Sequence, residues 1–169
     1  MLKNSGLLFK VLCILSFALL AYSGSTKAES LDKQLACLAQ NVYWEAASEP
    51  VEGKIAVAQV TMNRVRSGKF PNSICGVVQQ RTSVLNKIVC QFSWFCEPRR
   101  KPVVGPLYEE SLEVARAVME GDYELDHMKD ALYFHAAHVN PRWNKQRVGR
   151  IGQHIFYKDR VKVVKGDEI

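Results

Sequence analysis

Nowhere in the sequence do about 20 apolar residues follow one another, the length a helix needs to cross a hydrocarbon core, so no membrane-spanning helix is expected in the mature chain. There is no C-x-x-C pair, the spacing that zinc sites usually show, no internal repeat and no linker. A dense basic stripe of the kind nucleic-acid binding requires is also missing. What these absences leave is one globular domain of ordinary size.

The longest apolar run, residues 11–22, stands near the start behind Lys3 and Lys10, and Thr26-Lys27-Ala28 follows it with small residues at a cleavage position. Residues 1–28 therefore read as a secretion leader and 29–169 as the mature domain, with an uncleaved anchor as the alternative. No Cys follows the run as a lipid-attachment site would need. Loss of the leader removes Lys3, Lys10 and Lys27 and no acid, so the formal charge falls from +6 to +3. That charge suits an anionic envelope polymer rather than nucleic acid. The expected product is an exported monomer of the periplasm, cell wall or medium, with no stable membrane insertion after cleavage.

Cys13 leaves with the leader; Cys37, Cys75, Cys90 and Cys96 remain. An even count behind an export signal favours two disulfides. Of three pairings, Cys90 with Cys96 and Cys37 with Cys75 are favoured, the first closing a small loop and the second tying the first helix to the segment after the second. A zinc site built from these thiols with His135 and His138 is the rival.

Leu31, Leu35, Leu38 and Val42 recur at helical steps behind Ser30 as an N-cap, and the next step lands on Glu45. Pro50 opens a second helix carrying Ile55, Val57, Ala58, Val60, Met62 and Val65. It ends at Ser67-Gly68, with Arg64, Arg66 and Lys69 at its negative end. Apolar residues on nearly every side make it the expected central helix. Ile74 to Gln79 predicts a short helix, and residues 80–105 show no period and read as loop, with a basic stretch at Arg99, Arg100 and Lys101. Pro106 opens a helix to Gly121 with Leu107, Leu112, Ala115, Val118 and Met119 inward. Ala131 to His135 predicts a strand, and Arg147 to Tyr157 two more around Gly152-Gln153. The fold class is α+β, helices first and a small antiparallel sheet near the C terminus.

An inward Glu45 has chemical consequences. Burial penalises the charged carboxylate, and the negative end of its helix acts the same way, so its pKa rises toward that of a general acid. The alternative is a helix that ends by Tyr43 and leaves Glu45 solvated.

Four segments, LACLAQNVYWEAASEPVEGKIAVAQVTMNRVRSGKFPNSICGVV, CQFSW, ALYFHAAHVNPRW and RVGRIGQHIFY, resemble in order the SleB-type cell-wall hydrolases, which include spore cortex-lytic enzymes. The resemblance covers nearly all of the mature chain. It implies a lysozyme-like lytic transglycosylase acting on peptidoglycan glycan strands, with Glu45 as catalytic residue and no metal or other cofactor. The implied reaction cleaves the β-1,4 bond between N-acetylmuramic acid and N-acetylglucosamine and leaves a 1,6-anhydro end. One carboxyl group then serves as acid and afterwards as base. The four cysteines and the basic stretch at residues 99–101 depart from the spore enzymes.

Hydrolysis instead needs a second carboxylate, for which Glu49, Glu52 and Glu97 are candidates. Glu49 and Glu52 otherwise serve as charges of a helix first turn, with a supporting role toward Glu45 kept open. Gln91, Phe92, Ser93 and Trp94 offer amide, hydroxyl and flat apolar surface to a sugar, or else pack a disulfide loop into the core. His135 is a candidate substrate contact, while His138 and His154 read as structural. Tyr133 and Trp143 are core residues by default and cleft walls if the sheet borders the site. A metal-dependent amidase and a peptidoglycan-binding module without turnover are the competing classes.

Overall fold

A computed structural model of the protein describes residues 31–98 and 103–161. The leader, its Ser30 cap and the Arg99 to Lys101 stretch lie outside the described residues. The first described helix, α1, covers residues 31–46. Leu35, Leu38 and Val42 are buried along it, as their spacing predicts, whereas Leu31 is half exposed.

Helix α2 (Val51–Arg66) follows Pro50, and Ser67 ends it. It is the central helix, but its burial is not simply apolar. Lys54, Gln59, Thr61, Asn63 and Arg64 are buried with Ala56, Val57, Ala58 and Val60. Three of these polar side chains, Gln59, Asn63 and Arg64, are fastened to one stretch of main chain. Gln59 exchanges two hydrogen bonds with Leu125, and the Asn63 amide donates to Met128 O and Ala131 O at 2.9 Å each. Arg64 Nε donates to Leu132 O at 2.8 Å. Buried polar groups need such partners; here the partners hold the segment that leads into the sheet. Arg64 is thus not an outward charge at the helix end, as its position in the sequence suggests, but an inward one.

Helix α3 (Ile74–Val78) is capped by Ser73, whose side chain accepts from the Gly76 N–H at 3.1 Å. Residues 81–90, read as loop, form a hairpin of β1 (Arg81–Val84) and β2 (Lys87–Cys90). Its two-residue turn places Leu85 and Asn86 at φ 49° and 61°, the left-handed pair that matches strand twist. Both strands are exposed, so no inside-outside alternation marked them. A 3₁₀ turn at Ser93–Cys96 follows.

Helix α4 (Pro106–Glu120) starts at the proline and ends before Gly121, which stands at φ 90° as a left-handed cap. Its inner face is Ser111, Val114, Ala115 and Val118, with Leu112 and Met119 partly buried. Leu107, expected inward, is half exposed in the first turn.

The terminal sheet is built of β3 (Tyr133–Ala136), β4 (Gln146–Ile151) and β5 (His154–Lys158) in the order β3-β5-β4, with both pairings antiparallel. One core cluster lies among the helices around Leu38, Val42, Val77 and Trp94. A second lies between α2 and the sheet, around Val57, Val60, Met128 and Phe156. Both clusters lie in the unit that begins at Leu35. Two disulfides fasten it. Cys37–Cys75 joins α1 to α3 with Cα atoms 5.2 Å apart, and Cys90–Cys96 closes the loop behind β2. The thiols of the rival zinc reading are therefore engaged in bridges.

Candidate active site

Glu45 sits in the last turn of α1, partly buried, and helix geometry continues through Ala46. It lines a cleft of about 250 Å³ with Arg64 of α2, Cys90 at the end of β2, Gln91, Phe92 and Ser93 of the disulfide loop, and Phe134 of β3. Three distant parts of the chain thus meet around one carboxyl group. Burial pushes its pKa up to about 7; the Arg64 charge opposes this and the Glu97 charge adds to it. A carboxyl group in that range holds its proton near neutrality and can release it, which is the property of a general acid.

The wall opposite is built by the disulfide loop. Phe92 is buried, 6.4 Å from Phe134 by ring centroids, and Gln91 and Ser93 are exposed. The Gln91 N–H is held by Gln80 O at 2.9 Å, so the loop leaves the hairpin in a fixed direction. Trp94 lies deeper. It is 4% exposed, stacks on Trp44 and donates Nε1–H to Asn41 Oδ1, so it buttresses the wall from inside.

Arg64 is the residue the sequence reading did not bring to the site. Its guanidinium lies between the rings of Phe70 and Phe92, 5.1 and 5.2 Å from their centroids. Burial pulls its pKa down to about 10, which still leaves it charged at neutral pH. Its place directly before a helix end concealed it. The usable signal was its position one residue past Asn63, on the polar row of an otherwise apolar helix.

The other sequence candidates stand elsewhere. Alternation along β3 turns Phe134 toward the cleft and Tyr133 and His135 to the opposite face. There the two pack with Trp143 and Tyr157: Trp143 lies 6.2 Å from Tyr133 and 5.5 Å from His135, and His135 stacks on Tyr157 at 5.2 Å. A carbonyl only accepts, so His135 Nδ1 carries the hydrogen given to Ala136 O at 2.9 Å. Nε2 then receives the Tyr157 hydroxyl at 3.0 Å. Tyr133 donates to Asp159 at 3.2 Å, and Lys145 Nζ stands 4.0 Å over its ring. Trp143 keeps 44% of its surface exposed.

Of the three further carboxylates, Glu49 is committed to the fold: its Oε2 accepts from Gln153 N at 2.9 Å, pinning the β4–β5 turn to the entrance of α2. Its Oε1 lies 4.0 Å from His154 Nδ1; burial holds that imidazole below its ordinary pKa. Glu52 is exposed in the first turn of α2. Glu97, also exposed, is the one whose charge reaches Glu45. Among the described residues no three His, Cys, Asp or Glu side chains gather as metal ligands would.

The fold and cleft define a small α+β domain with one protonatable carboxyl group at a helix end, facing a loop of polar and aromatic side chains. The family model described as Cell Wall Hydrolase matches residues 48–157, and the chain belongs to that family. The match begins three residues after Glu45. The spore cortex-lytic enzyme of Bacillus subtilis (strain 168) is 36% identical over 129 residues, 70% of this chain and 35% of that protein. That of Bacillus cereus (strain ATCC 14579) is 33% identical over 131 residues, 72% of this chain and 42% of that protein. The chain thus spans well under half the length of these relatives. Among solved structures, the catalytic domain of the Bacillus cereus SleB protein aligns at a TM-score of 0.57 and 25% identity, covering 75% of this chain and 91% of that one. The catalytic domain of the germination-specific lytic transglycosylase SleB from Bacillus anthracis aligns at 0.55 and 25%, covering 74% and 93%.

Proposed function

We propose that the chain is an exported peptidoglycan lytic transglycosylase in which Glu45 is both acid and base. The observation that carries this reading is that Glu45, with a pKa near 7, is the single carboxyl group in the described lining of its cleft. Family membership and the relatives named for cortex lysis and lytic transglycosylation support the substrate class. Export accords with residues 1–28 and with two disulfides, which persist in oxidising compartments.

The protonated Glu45 gives its hydrogen to the glycosidic oxygen between N-acetylmuramic acid and N-acetylglucosamine, and the C1–O bond breaks toward the leaving alcohol. The muramoyl 6-hydroxyl then bonds to C1, and its proton returns to the Glu45 carboxylate. Atoms balance without water, and no second carboxylate is required. Gln91 and Ser93 offer hydrogen bonds to N-acetyl and ring oxygens, and Phe92 with Phe134 supplies apolar wall. Tyr133, His135 and Trp143 lie on the other face of β3, so their part is confined to sugars outside this cleft, where the exposed Trp143 ring gives a stacking surface.

A second reading, a lysozyme-type hydrolase, is favoured by one observation: the Glu97 charge acts on Glu45, as a paired carboxylate's would. Mass spectrometry of digested glycan separates the two. Transglycosylation leaves 1,6-anhydromuramoyl ends, lighter by one water than the reducing ends of hydrolysis. Reducing ends overturn the transglycosylase reading, and failure of the purified protein to clear a wall suspension points to a binding module.

A further inference from the structure

Arg64 is a buried cation to which the reaction above assigns no task. Its position is fixed: Nε is held by Leu132 O, Phe70 and Phe92 cover the guanidinium, and 3% of the residue is exposed. Yet Nη1, sealed from solvent, has no hydrogen-bond partner. A buried donor left without an acceptor costs about 1–3 kcal/mol, more when charged. Such a cost points to another state of the site in which the donor is satisfied.

The groups that face it are few. Glu45 of α1 and Tyr133 of β3 act electrostatically on Arg64, while Arg64 and Glu97 act on Glu45. Arg64 and Glu45 line the same cleft, but since Nη1 is unpartnered, the Glu45 carboxyl group does not rest on it. A protonated carboxyl is a weak partner for a cation, whereas a carboxylate forms short charge-assisted bonds. The guanidinium is clamped, so the approach falls to the Glu45 side chain.

We propose that Arg64 is a positioning residue, its Nη1 N–H donating to the Glu45 carboxylate once Glu45 has passed its proton to the glycosidic oxygen. The inference rests on reading Glu45 as the acid. An ion pair that forms only as the proton leaves stabilises what proton donation produces and not what precedes it, which is how a binding contact raises a rate. The same contact holds the carboxylate oriented until the 6-hydroxyl proton returns. The negative charge of Glu97 works against ionisation, so Arg64 and Glu97 pull Glu45 in opposite directions.

The test is the pH profile of kcat/KM in Arg64→Gln and Arg64→Lys. Without the cation, Glu45 keeps its proton to higher pH, so in Arg64→Gln the alkaline limb moves up by about one unit while kcat falls about tenfold or more. Arg64→Lys, which keeps the charge, brings the limb back toward wild type. A purely structural role lowers activity at every pH and leaves the limb in place, and that result in folded Arg64→Gln overturns the proposal. Should the variant fail to fold, nitrogen-15 spectra of the wild-type guanidinium decide. The Arg64 signal should shift with the midpoint of the Glu45 carboxyl, followed by a carbon-13 label, and stay flat in Glu45→Gln. An Arg64 signal that ignores the Glu45 titration, with cleavage lost in Glu45→Gln, overturns the role of Arg64 alone. Full cleavage by Glu45→Gln overturns the acid assignment on which it rests.

Discussion

Trp94 donates its indole N–H to the side-chain oxygen of Asn41 across 3.1 Å, and Asn41 in turn donates its amide hydrogen to Thr61 Oγ1 at 3.2 Å. This buried chain ties the disulfide loop to α1 four residues before Glu45, and both to α2. The cleft wall and the carboxyl group opposite it are therefore registered through one polar side chain.

Asn41→Ala takes away the acceptor of the Trp94 N–H and the link to Thr61. The expected loss is about 2–3 kcal/mol of unfolding free energy, from two buried hydrogen bonds and the space left behind. Urea unfolding followed by tryptophan fluorescence measures it. A loss under about 0.5 kcal/mol, the range of ordinary surface changes, means that the indole has another acceptor.

The two disulfides divide between stability and the site. Cys37–Cys75 spans 38 residues and Cys90–Cys96 spans 6. On loop-closure grounds, opening the first by paired Ser substitutions should cost about 4 kcal/mol and the second about 2 kcal/mol. Wall-clearing activity should fall in the reverse order, because Cys90 itself lines the cleft and Gln91 to Ser93 continue from it. Equal loss of activity at equal folded fraction would remove the loop's claim to be the cleft wall.

The elements were legible where one side faces water and the other the core. α1, α4 and the strands around Gly152 declared themselves by period, by Pro106 and by the two glycines. Arg64 and Trp94 were not, for a shared reason. Sequence periodicity reports which face is apolar, not what a buried polar atom is bonded to, and the partners of Arg64 and Trp94 lie 68 and 53 residues away. The β1–β2 hairpin was missed because both of its faces are exposed. The split of Tyr133, His135 and Trp143 from the cleft was half visible, since alternation already separates Phe134 from its two neighbours.

Glycine at 152 is set by two constraints at once. It adopts φ 54°, and a Cβ there would run into the Glu49 carboxylate that holds the Gln153 N–H. Gly152→Ala should therefore displace Glu49 and cost more than about 1 kcal/mol, the cost of the left-handed conformation alone. Glu49→Gln, which keeps an acceptor, should cost less. Thermal unfolding of the two variants checks the order, and a Gly152→Ala protein as stable as wild type would show that the turn can re-form without Glu49.

Glu97 raises the pKa of Glu45 by its charge. Glu97→Gln removes that charge, so the alkaline limb of kcat/KM, expected near 7 in the wild type, should move to lower pH. Activity below the limb should persist if Glu45 acts alone. Loss of cleavage at every pH, together with reducing-end products in the wild type, would make Glu97 the second carboxylate of a hydrolase.

Glu45 itself should make the protein pay in stability for its chemistry. Its pKa rises from an ordinary 4.5 in the unfolded chain to about 7 in the fold. The folded state therefore binds the proton more tightly, and ∂ΔG/∂pH is negative between the two values. Below 4.5 the carboxyl is neutral in both states and costs nothing. As pH rises from 4.5 to about 7 the wild type loses up to about 3 kcal/mol, the equivalent of that shift. Glu45→Gln carries a neutral amide at every pH and escapes the loss. Its unfolding free energy should match the wild type near pH 4, exceed it increasingly up to about pH 7 and hold that gap above, while cleavage falls by about 10² to 10⁴. Chemical denaturation of both proteins across that range tests the sign. A gap that stays constant with pH would show Glu45 to be an ordinary carboxylate, and with it the acid role would fall.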